Sequence, residues 1–173
     1  SSTPQPTQEK VQELISLYNQ GQFTATIDQA QTLAQQYPEA FFVWNILGAA
    51  NKELGKLVEA SKALKMVTEL NPNYADGFNN LGVALQEQGK LKEAIVSFNT
   101  ALSIKPDYAE AYNNLGNALK RQSKLDEALV AYNKAITLKP DYASAFNNMA
   151  TVLRDQDKLD EAILAYKKVL SIE

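Results

Sequence analysis

Shifted by 34 residues, this sequence falls onto itself. Prolines recur at Pro38, Pro72, Pro106 and Pro140, and a turn position holds Gly21, Gly55 and Gly89 and then Ser123 and Asp157. A small residue returns at Ala60, Ala94, Ala128 and Ala162, and an aromatic at Trp44, Phe78, Tyr112 and Phe146. A fixed period of about 20–50 residues marks units that cannot bury their apolar faces alone and stack into a solenoid.

Each unit carries two helical patterns. In 109–142, Tyr112, Leu115, Gly116 and Leu119 recur at i, i+3, i+4 and i+7, one face of a helix. Ser123-Lys124 breaks that pattern. Leu125, Ala128, Leu129, Tyr132, Ala135 and Ile136 then mark a second helix, which Pro140 stops because proline cannot continue the hydrogen-bond ladder. Strand alternation is absent throughout, so the chain reads as all-α, with stacked antiparallel helix pairs. The glycines of the turn position suit left-handed helix ends, where the missing Cβ removes a clash. Aspartate tolerates that conformation, and serine costs up to about 1 kcal/mol. Gly48, Gly82, Gly116 and Ala150 fall inside the first helices, where close helix–helix approach explains them, with Ala60, Ala94, Ala128 and Ala162 expected opposite.

The chemistry available is limited. The 173 residues carry a net charge of −3 and contain neither cysteine nor histidine. Disulfides, thiolate metal sites and the commonest general base are therefore excluded, and an acidic balance argues against a nucleic-acid surface. No apolar run reaches the ~20 residues needed to span a bilayer, and no signal peptide is visible. A cytoplasmic setting is the expectation. With no glycine-rich phosphate loop, metal-ligand cluster or Ser/His/Asp set, neither enzymatic activity nor a cofactor is expected.

The unit YNNLGNALKRQSKLDEALVAYNKAITLKP resembles the tetratricopeptide repeat (TPR). The family pattern of an aromatic, Leu-Gly, Ala, an aromatic, Ala and Pro is met by Tyr112, Leu115-Gly116, Ala128, Tyr132, Ala135 and Pro140. The resemblance implies a right-handed superhelical solenoid of five stacked antiparallel helix pairs. The array spans 7–173: a degenerate first repeat at 7–40 that lacks the Leu-Gly pair, then 41–74, 75–108, 109–142 and an uncapped last repeat at 143–173. Residues 1–6 read as a linker or a cut edge of something longer.

In TPR stacks the first helix of each pair lines a concave groove. The resemblance carries that role to Asn79 and Asn80, to Asn113, Asn114 and Asn117, and to Asn147 and Asn148, with Lys120, Arg121 and Arg154 as a local basic cluster partly neutralised by Asp155 and Glu87. A side-chain amide presents an acceptor and two donors, which complements a peptide backbone. Packed helices lie about 8–10 Å apart and an extended peptide advances about 3.3 Å per residue, so one amide per repeat would meet roughly every third ligand residue. Asn80, Asn114 and Asn148 are similar in placement to the asparagine ladder in the TPR region of O-GlcNAc transferases; Ile46 breaks the series upstream. The same amides would equally bond neighbouring helices or water, and the sequence leaves both open. The family's carboxylate clamp for acidic chaperone tails needs lysine or arginine where this chain has Asn79, Asn113 and Asn114, which argues against that ligand.

Three functions follow as expectations. The first is a protein-interaction module holding a protein or peptide ligand in the groove, with no nucleic acid and no membrane. The second is the recruiting or scaffold arm of a larger glycosyltransferase- or sulfotransferase-type enzyme. The third is self-association through the C-terminal helix, whose Ile163, Val169, Leu170 and Ile172 have no following repeat to cover them.

Overall fold

The computed structural model describes residues 3–172. Ser1 and Ser2 of the leading segment, and Glu173 of the last turn, lie outside the described residues. Among the described residues there are ten α-helices and no strand: α1 (Gln8–Asn19), α2 (Phe23–Gln36), α3 (Phe41–Glu53), α4 (Leu57–Leu70), α5 (Ala75–Glu87), α6 (Leu91–Ile104), α7 (Ala109–Arg121), α8 (Leu125–Leu138), α9 (Ala143–Asp155) and α10 (Leu159–Ile172). They form two compact units, one ending at Gly89 and containing α1–α5, the other starting at Lys90 and containing α6–α10. In the first unit α1 packs on α2 and α3, α2 on α3, α3 on α4, and α4 on α5. In the second unit each helix from α6 to α10 packs on the next, and α7 also touches α9.

The turn inside each pair is a backbone device. Gly21, Gly55, Gly89, Ser123 and Asp157 all adopt positive φ, between 58° and 78°. At the end of α7 the Ser123 N–H donates to the Lys120 carbonyl at 2.9 Å and the Lys124 N–H to the Leu119 carbonyl at 3.0 Å. Asp157 and Lys158 repeat this with Arg154 and Leu153. This paired closure satisfies carbonyls that a helix end leaves orphaned, and it needs one left-handed residue. Within the units it reverses the chain without a side-chain cap: none of Gln22, Lys56 or Lys124 caps its helix through its side chain.

The turn between pairs is set by proline. Each second helix of the first four pairs stops two residues before Pro38, Pro72, Pro106 or Pro140. The residues before the prolines, Tyr37, Asn71, Lys105 and Lys139, have φ between −128° and −135° and positive ψ. Proline's ring excludes the helical region for its predecessor, so the helix ends there. After Pro72, Pro106 and Pro140 a tyrosine stands two residues further on, whereas Ala40 follows Pro38. Tyr74 meets Phe41 edge-to-face at 5.5 Å, and Lys139 lies over the Tyr142 ring at 4.9 Å.

In the pairs α3/α4 and α7/α8, a glycine on the first helix receives a large residue from the second. A Cβ on Gly116 would sit 2.5 Å from Tyr132 Cε1, and one on Gly48 would sit 2.7 Å from Leu64 Cγ. Ala60 does lie opposite Gly48, its carbonyl oxygen 3.4 Å from where that Cβ would sit, but the side chain that fills each glycine notch lies sixteen residues beyond the glycine, one turn after the buried Ala60 or Ala128. The degenerate first repeat obeys the same rule in reverse. Leu14 occupies the glycine register and Ala30 the large-residue register, and both are fully buried in one cluster. The volume is kept and its owner is exchanged.

This contact generates a coupled prediction. Gly116→Leu alone overpacks the notch and costs about 1–3 kcal/mol, and Tyr132→Ala alone leaves a cavity costing about 3–5 kcal/mol. The double variant, which imitates Leu14 and Ala30, should be less destabilised than the sum of the two in urea unfolding. Strict additivity would show that the two positions do not share one contact.

Candidate functional site

The paired asparagines sit on the first helices, and their two members do different work. Consecutive residues on a helix are rotated by about 100°. In α7 this turns Asn113 inward, where it is 6% exposed, and leaves Asn114 half-buried. Asn148 Nδ2 donates to Asn113 Oδ1 at 3.1 Å, joining α9 to α7. The Tyr142 hydroxyl hydrogen-bonds with Ser144 and Asn113. Burial raises the Tyr142 pKa above the ordinary phenol value and the charge of Glu110 adds to the rise, while those two hydrogen bonds oppose it. Asn113 is therefore the hub of a polar cluster inside the packed second unit.

Asn79 is fully buried in α5. The sequence pattern puts Asn79 and Asn113 on the exposed groove lining; the structure corrects that placement, because an enclosed amide has no surface to offer a ligand. Asn117 accepts from the Tyr132 hydroxyl at 2.7 Å. It thereby satisfies a phenol whose ring is buried against Gly116 and whose pKa burial pushes upward. Asn147 is exposed, and Asn80, Asn114 and Asn148 are half-buried. In the first unit Asn45, in the register of Asn113, has a buried Oδ1 to which no described residue donates.

The three residues of the basic cluster sit at the ends of α7 and α9. Lys120 is half-buried and Arg121 exposed on the last turn of α7. The Arg154 guanidinium lies 3.0 Å from Asp155 Oδ1, with both side chains largely in water. Asp155 holds that guanidinium above its ordinary pKa through a hydrogen bond and its charge. An exposed pair of this kind contributes little to stability.

Sequence reasoning did not find the role of the glutamines that end first helices. Gln88 Nε2 donates to the Leu57 carbonyl at 2.8 Å, and Gln156 Nε2 to Asp126 Oδ1 at 2.8 Å. Both reach the start of the preceding second helix. Their recurrence in one register, with Gln122 between them, was the available signal.

The Asn113 cluster makes a stability prediction. Asn113→Ala should destabilise the chain by about 1–3 kcal/mol, since it strips partners from Asn148 and Tyr142 in a buried setting. Asn147→Ala, on the exposed face beside it, should stay within about 0.5 kcal/mol. Equal effects in thermal unfolding would refute the assignment of Asn113 as a structural hub.

Comparison with known proteins agrees with this architecture. Models of the TPR repeat match 48–89 and 85–123, and tetratricopeptide repeat models match 109–142 and 131–164. No curated protein matches. Among solved structures, a crystal structure of MamA shares 25% identity at a TM-score of 0.85, over 91% of this chain and 92% of that one. MamA from Desulfovibrio magneticus RS-1 (residues 41 to the end) aligns at a TM-score of 0.89 with 19% identity, over 99% and 97%. YrrB, described as a TPR protein with an unusual peptide-binding site, aligns at 0.78 with 18% identity, over 97% and 87%. The matched spans run from 48 to 164, and the ten-helix architecture is shared with TPR solenoid structures: this chain belongs to the tetratricopeptide-repeat family.

Proposed function

We propose that this chain is a protein-interaction module that holds an extended peptide segment of a partner on first helices within a unit, α7 and α9 in the second, and performs no chemistry on it. One observation carries the reading. Asn80, Asn114 and Asn148 occupy one register on α5, α7 and α9, and each is half-buried. Such an amide is held by its surroundings and still reaches the surface. Asn148 is oriented by its bond to Asn113, which engages one of its N–H groups. A side-chain amide also carries a second N–H and an acceptor, the pair a peptide backbone requires. Fixing that amide before the ligand arrives lowers the ordering cost of binding. The peptide-binding site in the description of YrrB, a protein of the same fold, is consistent with this use. The absence of histidine and cysteine supports a non-catalytic role.

The test uses short peptides selected against the wild-type chain from a random display library. Replacing Asn80, Asn114 and Asn148 together by Ala should weaken their capture at least about tenfold, one good hydrogen-bond set, while far-UV circular dichroism keeps its helical signal. Unchanged capture would remove the ladder.

The surface of α10 favours a second reading, self-association. Leu159, Ile163 and Leu170 are at least half-exposed, whereas Leu125, Leu129 and Ile136, in the same register of α8 and beside α9, are half-buried. A helix of a second copy, seated as α9 is on α8, would cover them. Sedimentation velocity should then show mass rising with concentration, and Leu159→Glu with Leu170→Glu should abolish the rise. A monomer at every concentration would refute this reading.

A further inference from the structure

We propose that the second helices carry a docking groove of their own, which takes an amphipathic helix of a partner protein whose apolar centre is flanked by carboxylates. The groove uses none of the asparagines assigned above, so the two surfaces stand or fall separately.

In the second unit an open cavity of about 500 Å3 lies between α6 and α8, with α7 as its floor. Tyr112, Leu115 and Leu119 make the floor, Ile95 and Asn99 one wall, and residues from Lys124 to Lys134 the other. One repeat on, a cavity of about 400 Å3 has the same plan between α8 and α10. Phe146, Met149 and Leu153 make its floor, and Lys158, Glu161 and Leu164 stand where Lys124, Glu127 and Val130 stand in the first. Every one of these counterparts is 34 residues away, so the groove is built by the repeat and not by a local accident.

Its rim carries aliphatic side chains that packing does not use. Val130 is 71% exposed and Leu164 67%, and Val96 holds the same register on α6 at 66%. A single exposed aliphatic is ordinary, but a repeated one beside an apolar floor marks an interaction surface. Charge chooses the partner. Lys124 and Lys134 stand at the two ends of the α8 wall, with Glu127 one turn from the first. Among the described residues no ion pair engages either lysine. Their separation along the helix is about 15 Å. A partner helix of roughly three turns fits that length, with its apolar stripe on Tyr112, Leu115 and Val130 and a carboxylate near each end to meet a lysine. Complementary charge of this kind sets orientation and rejects basic partners. A trough between two parallel helices with a third beneath accepts a helix by the same ridge-and-groove packing that builds the unit.

The probe is a fluorescein-labelled synthetic helix with leucines at i, i+3, i+4 and i+7 and glutamates at both ends, titrated with the full chain and read by anisotropy. A second peptide carries lysines in place of the glutamates, and a third carries a proline at its centre. The expected result is saturable binding of the first, with the second and third at least about tenfold weaker. Val130→Glu and Lys134→Glu, both on exposed positions that should leave circular dichroism unchanged, should each weaken the first peptide at least about tenfold. The variant with Asn80, Asn114 and Asn148 replaced by Ala should bind it as wild type does. Absent binding, equal binding of the glutamate and lysine peptides, or indifference to Val130→Glu overturns the groove. Equal binding of the proline peptide overturns the helical occupant. A dimer of the free chain that Val130→Glu dissolves also overturns the proposal, because the occupant would then be a second copy.

Discussion

The contact between a glycine on the first helix and a large residue sixteen positions later sets how closely α3 approaches α4 and α7 approaches α8, and much of the rest depends on it. At Gly116 the approach is so close that the Tyr132 ring fills the space a side chain would take. The ring is then fully buried, and its hydroxyl must find a partner at the far side of the notch. Asn117, the residue after the glycine, supplies it at 2.7 Å. In the last pair the same geometry returns with different residues: the hydroxyl of Tyr166 lies 3.4 Å from the hydroxyl of Thr151, each one repeat beyond Tyr132 and Asn117. Steric fit comes first, and the polar pairing follows from where the fit leaves the phenol oxygen.

Packing between repeats has a different character. Helix α7 is covered by α6, α8 and α9, so polar as well as apolar positions on it are enclosed. Asparagine suits a buried position in such a helix better than aspartate or serine would. Its amide can accept from Asn148 through Oδ1 and still offer N–H toward the Tyr142 oxygen. A carboxylate would bring a charge into an enclosed site, and a hydroxyl would reach less far. The result is an uncharged clip between α7 and α9 that is specific in register. A slip of one residue that put Tyr112 in the place of Asn113 would turn that amide away by about 100°, and the bond to Asn148 would be lost.

Most of the fold was legible because the repeat makes the sequence its own control. The left-handed turns were readable even at Ser123 and Asp157, where residue type alone argues weakly, because glycine holds the same register upstream. The exchange of Leu14 and Ala30 was written in the sequence too, but it is visible only when the two helices are compared as a pair, and reading each register singly makes the first repeat look degenerate. The asparagines were harder. Helical spacing separates Asn113 from Asn114 by about 100°, yet it does not say which of the two points inward when three neighbours cover the helix. Asn79 likewise looked like surface and is enclosed.

The two surfaces of the second unit differ in what they can discriminate. On the proposed reading, amides in the register of Asn114 and Asn148 would address the peptide backbone, which every sequence shares, and so would favour extension over identity. The trough bounded by Val130, Lys124 and Lys134 addresses side chains, through apolar contact and charge, and rejects partners by repulsion as well as selecting them by fit. A partner engaging both strips would hold its second segment near the first at a local concentration of order millimolar if the linker spans them. Weak contact at either strip would then suffice, and selectivity would rest on the strip that reads side chains.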